Sequence, residues 1–115
     1  MSEKIQDNKP KNPKIKFSHH WKKLDCSSGS LFTTIRSENG RFPSKAEYYK
    51  NQEGKTFDVM LNEEKLFQAE LVQVFRGKSK DLSGRLLFYD TDGNVEWMEK
   101  LENLGQVLVL LFKRE

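Results

Sequence analysis

The chain opens with a segment that carries almost no hydrophobic pattern, and patterning begins at Lys14. Residues 1–13 have Ile5 as the one apolar side chain beyond Met1, among Lys4, Lys9, Lys11, Pro10 and Pro13. Such a stretch buries too little surface to offset its ordering entropy, so a disordered basic tail is expected. Lys14-Ile15-Lys16-Phe17 then alternates as a short strand. Ser18 is a suitable N-cap, and residues 19–25 predict two helical turns with Trp21 and Leu24 on one face. After a serine-rich loop holding Gly29, residues 31–36 form the most informative strand. Leu31, Thr33 and Ile35 fall on one side, and Phe32, Thr34 and Arg36 on the other.

Residues 37–43 read as a loop with a turn at Asn39-Gly40, followed by one helical turn at 44–49 capped by Ser44. Phe57, Val59 and Leu61 alternate with polar neighbours, which predicts a strand over 56–62. A loop at 62–65 leads into a return strand over 66–75. Gln73 interrupts the alternation of Phe67, Ala69 and Leu71, so a bulge is expected near Val72. Residues 76–80 read as a basic loop around Gly77. Residues 81–89 fit two descriptions: Leu82, Leu86 and Tyr89 suit a helix face, and 85–89 suits a strand. A turn at 90–94 precedes a helix over 95–104, with Met98, Leu101 and Leu104 on one side and Gly105 as C-cap. Residues 107–112 are apolar on both faces, the mark of an interior strand. Runs of strand mixed with short helices predict an α+β fold with a mixed or mainly antiparallel sheet.

Composition narrows this to one domain of modest core: 115 residues, 36% hydrophobic and 32% charged. No apolar run approaches the roughly 20 residues of a membrane span. The lysine-rich start is no secretory signal, and Cys26 is the single cysteine; a cytoplasmic protein is expected. The net charge of +3 is unevenly placed. Residues 1–55 hold 12 Lys and Arg against 6 Asp and Glu, and the remainder 8 against 11. A polyanion such as RNA would be drawn to the basic half.

Familiar chemical motifs are few. His19, His20 and Cys26 fall short of the three or four well-spaced ligands a metal needs, and nothing supplies an orienting partner for a Cys–His pair. Gly54-Lys55-Thr56 lacks the first glycine of a phosphate loop. No metal or cofactor is expected. Thr34 and Arg36, about 7 Å apart along one strand face, suit a small polar or anionic ligand, with the guanidinium fork as donor.

The run from Gly29 to Arg36 resembles the G-x-K-x-x-T-x-R signature of the ASCH domain, a family of the PUA-like superfamily. Gly29, Thr34 and Arg36 match in register, and Leu31 stands where the family has lysine. The flanks Lys16-Phe17-Ser18, Trp21-Lys22-Lys23-Leu24 and 54–59 follow in order, so the similarity spans roughly residues 14–115. The resemblance implies a small PUA-like β-barrel of about five or six strands with two or three flanking helices, and favours helix over 81–89. Some ASCH-like proteins resemble amidohydrolases that remove an acyl group from a modified cytidine. That likeness implies Thr34 as nucleophile and Asp90, with Asp92 as rival, as the acidic residue. Leucine cannot take a proton, so Leu31 argues against this chemistry unless Lys22, Lys23, Lys45 or His20 enters the cleft.

Three function classes follow. The first is an RNA- or nucleotide-binding domain. Its cleft would be built from Gly29, Thr34 and Arg36, rimmed by Lys45 and Lys55, with Trp21 or Tyr48 stacking on a base. The second is a small hydrolase of an acylated nucleoside, using Thr34 and Asp90. The third is a non-catalytic interaction module.

Overall fold

In a computed structural model, residues 11–37 and 45–115 are described. Most of the expected tail, the Asn39-Gly40 turn and the Ser44 cap lie outside them. The chain forms a five-stranded mixed sheet curved into a half-barrel, with three helices. The strands are β1 (Lys14–Phe17), β2 (Leu31–Ser37), β3 (Thr56–Leu61), β4 (Glu64–Lys78) and β5 (Gln106–Arg114). The helices are α1 (Lys45–Lys50), α2 (Gly84–Thr91) and α3 (Val95–Glu102). Strand order is β1-β3-β4-β5-β2, with β1 parallel to β3 and all other pairs antiparallel. No helix of the described residues is long and apolar enough to cross a membrane.

Curvature comes from the long strand β4. Its N-terminal part pairs with β3 (Glu70 opposite Thr56) and the rest with β5, from Ala69 opposite Arg114 to Lys78 opposite Gln106. Between Leu71 and Gln73 the register shifts, at the place where the broken alternation predicts a bulge. The extra residue, Val72, lets one strand serve two differently directed partners. A second shift at Val59/Met60 bends β3.

The concave side holds the larger core: Ile15, Phe17, Phe32, Phe57, Leu71, Leu108, Leu110 and Phe112 among others. Phe112 stacks on Phe32 and meets Phe57 edge-on, with centroids 5.4 and 5.3 Å away. A smaller core lies under α2 and α3, where Ile35, Val107 and Val109 meet Leu87 and Leu101. β5 is therefore apolar on both faces because each face meets a different core.

Several boundaries differ from expectation. Asn12 donates from Nδ2 to Asp58 Oδ1 (3.2 Å), and Pro13 O accepts from Asp58 N (2.8 Å), so domain contacts begin before Lys14. The two helical turns expected over 19–25 are one 3₁₀ turn, Lys22–Asp25, with no side-chain cap. Residues 76–78 are not loop: they extend β4, because β5 offers partners as far as Gln106. The 62–65 loop shrinks to Asn62 and Glu63, with Asn62 at φ +55°. Residues 84–91 are helix, capped by Ser83 Oγ accepting from Leu86 N (3.1 Å). The turn expected at 90–94 starts only at Asp92. α3 ends at Glu102 with Asn103, not Gly105, as C-cap.

Candidate ligand-binding cleft

The two edge strands of the half-barrel approach each other, and Arg36 spans the seam. Its Nη2 donates to Lys16 O of β1 (2.9 Å), and its Nε donates to Thr34 Oγ1 on its own strand (3.1 Å). The guanidinium also lies over the Phe17 ring, 4.8 Å from the centroid. Period-2 alternation sends Phe32, Thr34 and Arg36 to the concave side: Phe32 joins the core there, and Thr34 and Arg36 reach the seam.

Beside this clasp lies a cleft of about 200 Å³. Its floor is polar and buried. Lys23 Nζ donates to Asp90 Oδ1 (2.6 Å), the two side chains being 1% and 6% exposed. Asp90 Oδ2 accepts from Ile35 N (3.3 Å), so one carboxylate ties together the 3₁₀ turn, α2 and β2. Thr34 is 2% exposed, and Thr91 is also buried, donating to Leu87 O (2.7 Å). Burial pushes the Lys23 ammonium below its ordinary value, against the pull of Asp90. Burial likewise raises the Asp90 carboxyl, against Lys23, the Ile35 amide and Arg36. Desolvation also lowers Arg36, with Tyr49 and Asp90 pulling the other way.

The walls and mouth are aromatic and basic. Trp21 and Trp97 meet edge-to-face at 5.7 Å, and His19 touches both, at 5.2 and 4.8 Å. Lys16 lines the opening, and Lys100 Nζ stands over the outer part of this cluster, 4.7 Å from the Trp97 ring.

The structure brings Trp21, Thr34, Arg36 and Asp90 together as cleft residues. It separates Asp90 from its rival: Asp92 faces Lys22 N (2.9 Å) and does not line the cleft. Gly29, Lys45, Tyr48 and Lys55 do not line it either. Gly29 serves the turn before β2, at φ +85°, with its N–H on Arg114 O (2.7 Å). Tyr48 rests edge-on against Tyr49, and Lys55 is exposed beside β3. Leu31 is 57% exposed and lies on the strand face away from Thr34. The amine that does enter the cleft belongs to Lys23. Trp97 was missed by sequence reading. Its one signal is its spacing: Trp97 stands four residues before Leu101 and seven before Leu104, on the apolar side of its helix. Among the described residues no group of three His, Cys, Asp or Glu side chains could hold a metal.

Comparison with family models, curated proteins and solved structures found no match for this chain.

Proposed function

We propose that the protein binds a nucleotide, free or within single-stranded RNA, at the mouth of this cleft, and that its half-barrel is of the PUA-like kind with an ASCH-type Thr34–Arg36 strand. The observation that carries this reading is the pairing of Trp21 and Trp97 with Arg36 at one small opening. Ring faces accept stacked bases whatever their sequence, and the guanidinium answers oxygen acceptors. Lys16 and Lys100 add positive charge where a phosphate would lie. A cleft of about 200 Å³ suits the edge of one base, not an oligonucleotide.

Trp21 and Trp97 are the only two tryptophans of the chain, so intrinsic fluorescence reports on the mouth. Nucleoside monophosphates and short single-stranded RNA should quench it. RNA affinity should fall with salt, at a log–log slope near −0.7 for each phosphate neutralised. Arg36→Ala should weaken binding more than Lys4→Ala or Lys9→Ala. Unchanged fluorescence at low salt with every nucleotide and RNA would sink this reading and leave the interaction module.

A second reading, removal of an acyl group from a modified nucleoside, is favoured by one observation: Lys23 supplies to the cleft of Thr34 the amine that Leu31 does not. In that scheme the neutral amine of Lys23, oriented by Asp90, takes the Thr34 proton as the hydroxyl attacks the acyl carbon. That proton passes to the cytidine nitrogen as the acyl C–N bond breaks, and water then hydrolyses the acyl ester on Thr34. Thr34 is closed to solvent, so attack requires the mouth to open. Turnover of acetylcytidine that is lost in both Thr34→Ala and Lys23→Met would establish this reading. Absence of turnover by the folded natural protein would dismiss it.

A further inference from the structure

The polar groups around the cleft are unequally committed. Most of the oxygens that accept hydrogen bonds already hold one charged or backbone donor. Asp90 Oδ1 holds Lys23 and Oδ2 holds the Ile35 amide. Lys16 O holds Arg36 Nη2, and Thr34 Oγ1 holds Arg36 Nε. Donors remain. Arg36 carries five N–H groups, and among the described residues these two bonds use one on Nε and one on Nη2. Lys23 has three, of which Asp90 takes one. Ser18 and His19, which could accept, stand exposed at the rim.

From this inventory we propose that the ring edge turned into the cleft carries two adjacent acceptors, as the N7/O6 edge of a 6-oxopurine does. A ligand donor entering there could only share an oxygen that Lys23, the Ile35 amide or Arg36 already holds, or reach Thr91 Oγ1, whereas acceptors meet the unspent N–H groups of Arg36 and Lys23. Adenine offers N7 beside an N6 amino donor, so half of its edge is mismatched. The net charge lining the cleft, with Lys16, Lys23 and Arg36 against Asp90, acts in the same direction. This specificity rests on the nucleotide reading above and names the class of base that site selects.

The test compares GMP, IMP and AMP on the full chain, following tryptophan fluorescence and the two indole N–H resonances. All three present a purine face to the tryptophans and carry the same phosphate; IMP keeps N7 and O6 but lacks the 2-amino group. GMP and IMP should bind alike, and roughly five- to a hundredfold more tightly than AMP. Arg36→Lys keeps the charge but loses the fork, and should reduce GMP to the level of AMP. The comparison on the natural protein stands whether or not that variant folds. AMP binding as tightly as GMP through the same indole signals would overturn the edge preference and leave nucleotide binding in place. A GMP preference that survives in folded Arg36→Lys would overturn the role given to the fork. No response to any of the three would overturn the edge preference, and with pyrimidine nucleotides and RNA equally silent at low salt it would overturn the nucleotide reading as well.

Discussion

Lys23 and Asp90 show how one buried contact can hold three segments. Removing one partner leaves an uncompensated buried charge, so Lys23→Met or Asp90→Asn should each cost about 3–5 kcal/mol in denaturant unfolding. Replacing both together with apolar residues should cost much less than the sum of the single changes, because the desolvation penalty leaves with the charges. The raised Asp90 carboxyl fixes the sign of a pH effect. The folded protein takes up this proton at a higher pH than the unfolded chain, whose carboxyl titrates near 3.8. The associated stability is therefore fully present below 3.8 and is lost as pH rises through the folded value. Denaturant midpoints of the natural protein and Asp90→Asn, compared across that window, should show this component in the first and not in the second. At Leu31 the expectation is small. The side chain is exposed and on the far face, so Leu31→Lys should change stability by no more than about 0.5 kcal/mol and create no acyl-removing activity.

At the scale of elements, α2 depends on its two ends. Ser83 caps the N-terminus, and Ser83→Ala should lower stability by about 1 kcal/mol. The other end closes through Asp92 at φ +53° and Gly93 at φ +74°, with Gly93 N on Phe88 O (2.9 Å). A Cβ on Gly93 would stand 2.6 Å from the Phe88 ring. Gly93→Ala combines that clash with a left-handed backbone costing about 1–2 kcal/mol, and should destabilise more than Ser83→Ala. Thermal melts of the two variants give the order directly. The turn matters for the site because α2 delivers Asp90 and the following helix delivers Trp97.

For the whole molecule, the seam between β1 and β2 is the weak line of the half-barrel. β1 pairs with β3 on one side only, β2 with β5 on one side only, and Arg36 joins them across the gap. Arg36→Ala should cost about 1.5–3 kcal/mol, the worth of hydrogen bonds to a charged group. Amide exchange should accelerate more in β1 than in β4, which is paired on both sides. The seam and the cleft share Arg36, so loss of ligand response in this variant is interpretable only beside its exchange pattern.

What the sequence determined by itself was local. Alternation placed β1, β2, β3 and the core of β4; the broken period at Gln73 marked the bulge; the doubly apolar run at 107–112 marked the strand with a core on each side. Each of these follows from a two-residue period and needs no knowledge of distant partners. The strand faces also sent Thr34 and Arg36 to one side together. Tertiary structure decided the rest. β4 runs on to Lys78 because β5 supplies partners, which no basic composition could announce. Lys22, Lys23, Lys45 and His20 are equal candidates in the sequence to enter the cleft, and the fold buries Lys23 there because Asp90, 67 residues away, compensates its charge. Trp97 shares the apolar side of its helix with Leu101, yet that it meets Trp21 and His19 at the cleft is a contact across the chain that no local period states. A side chain's polarity states the cost of burying it; only the folded chain supplies the partner that offsets the cost, and the cleft is made of such pairs.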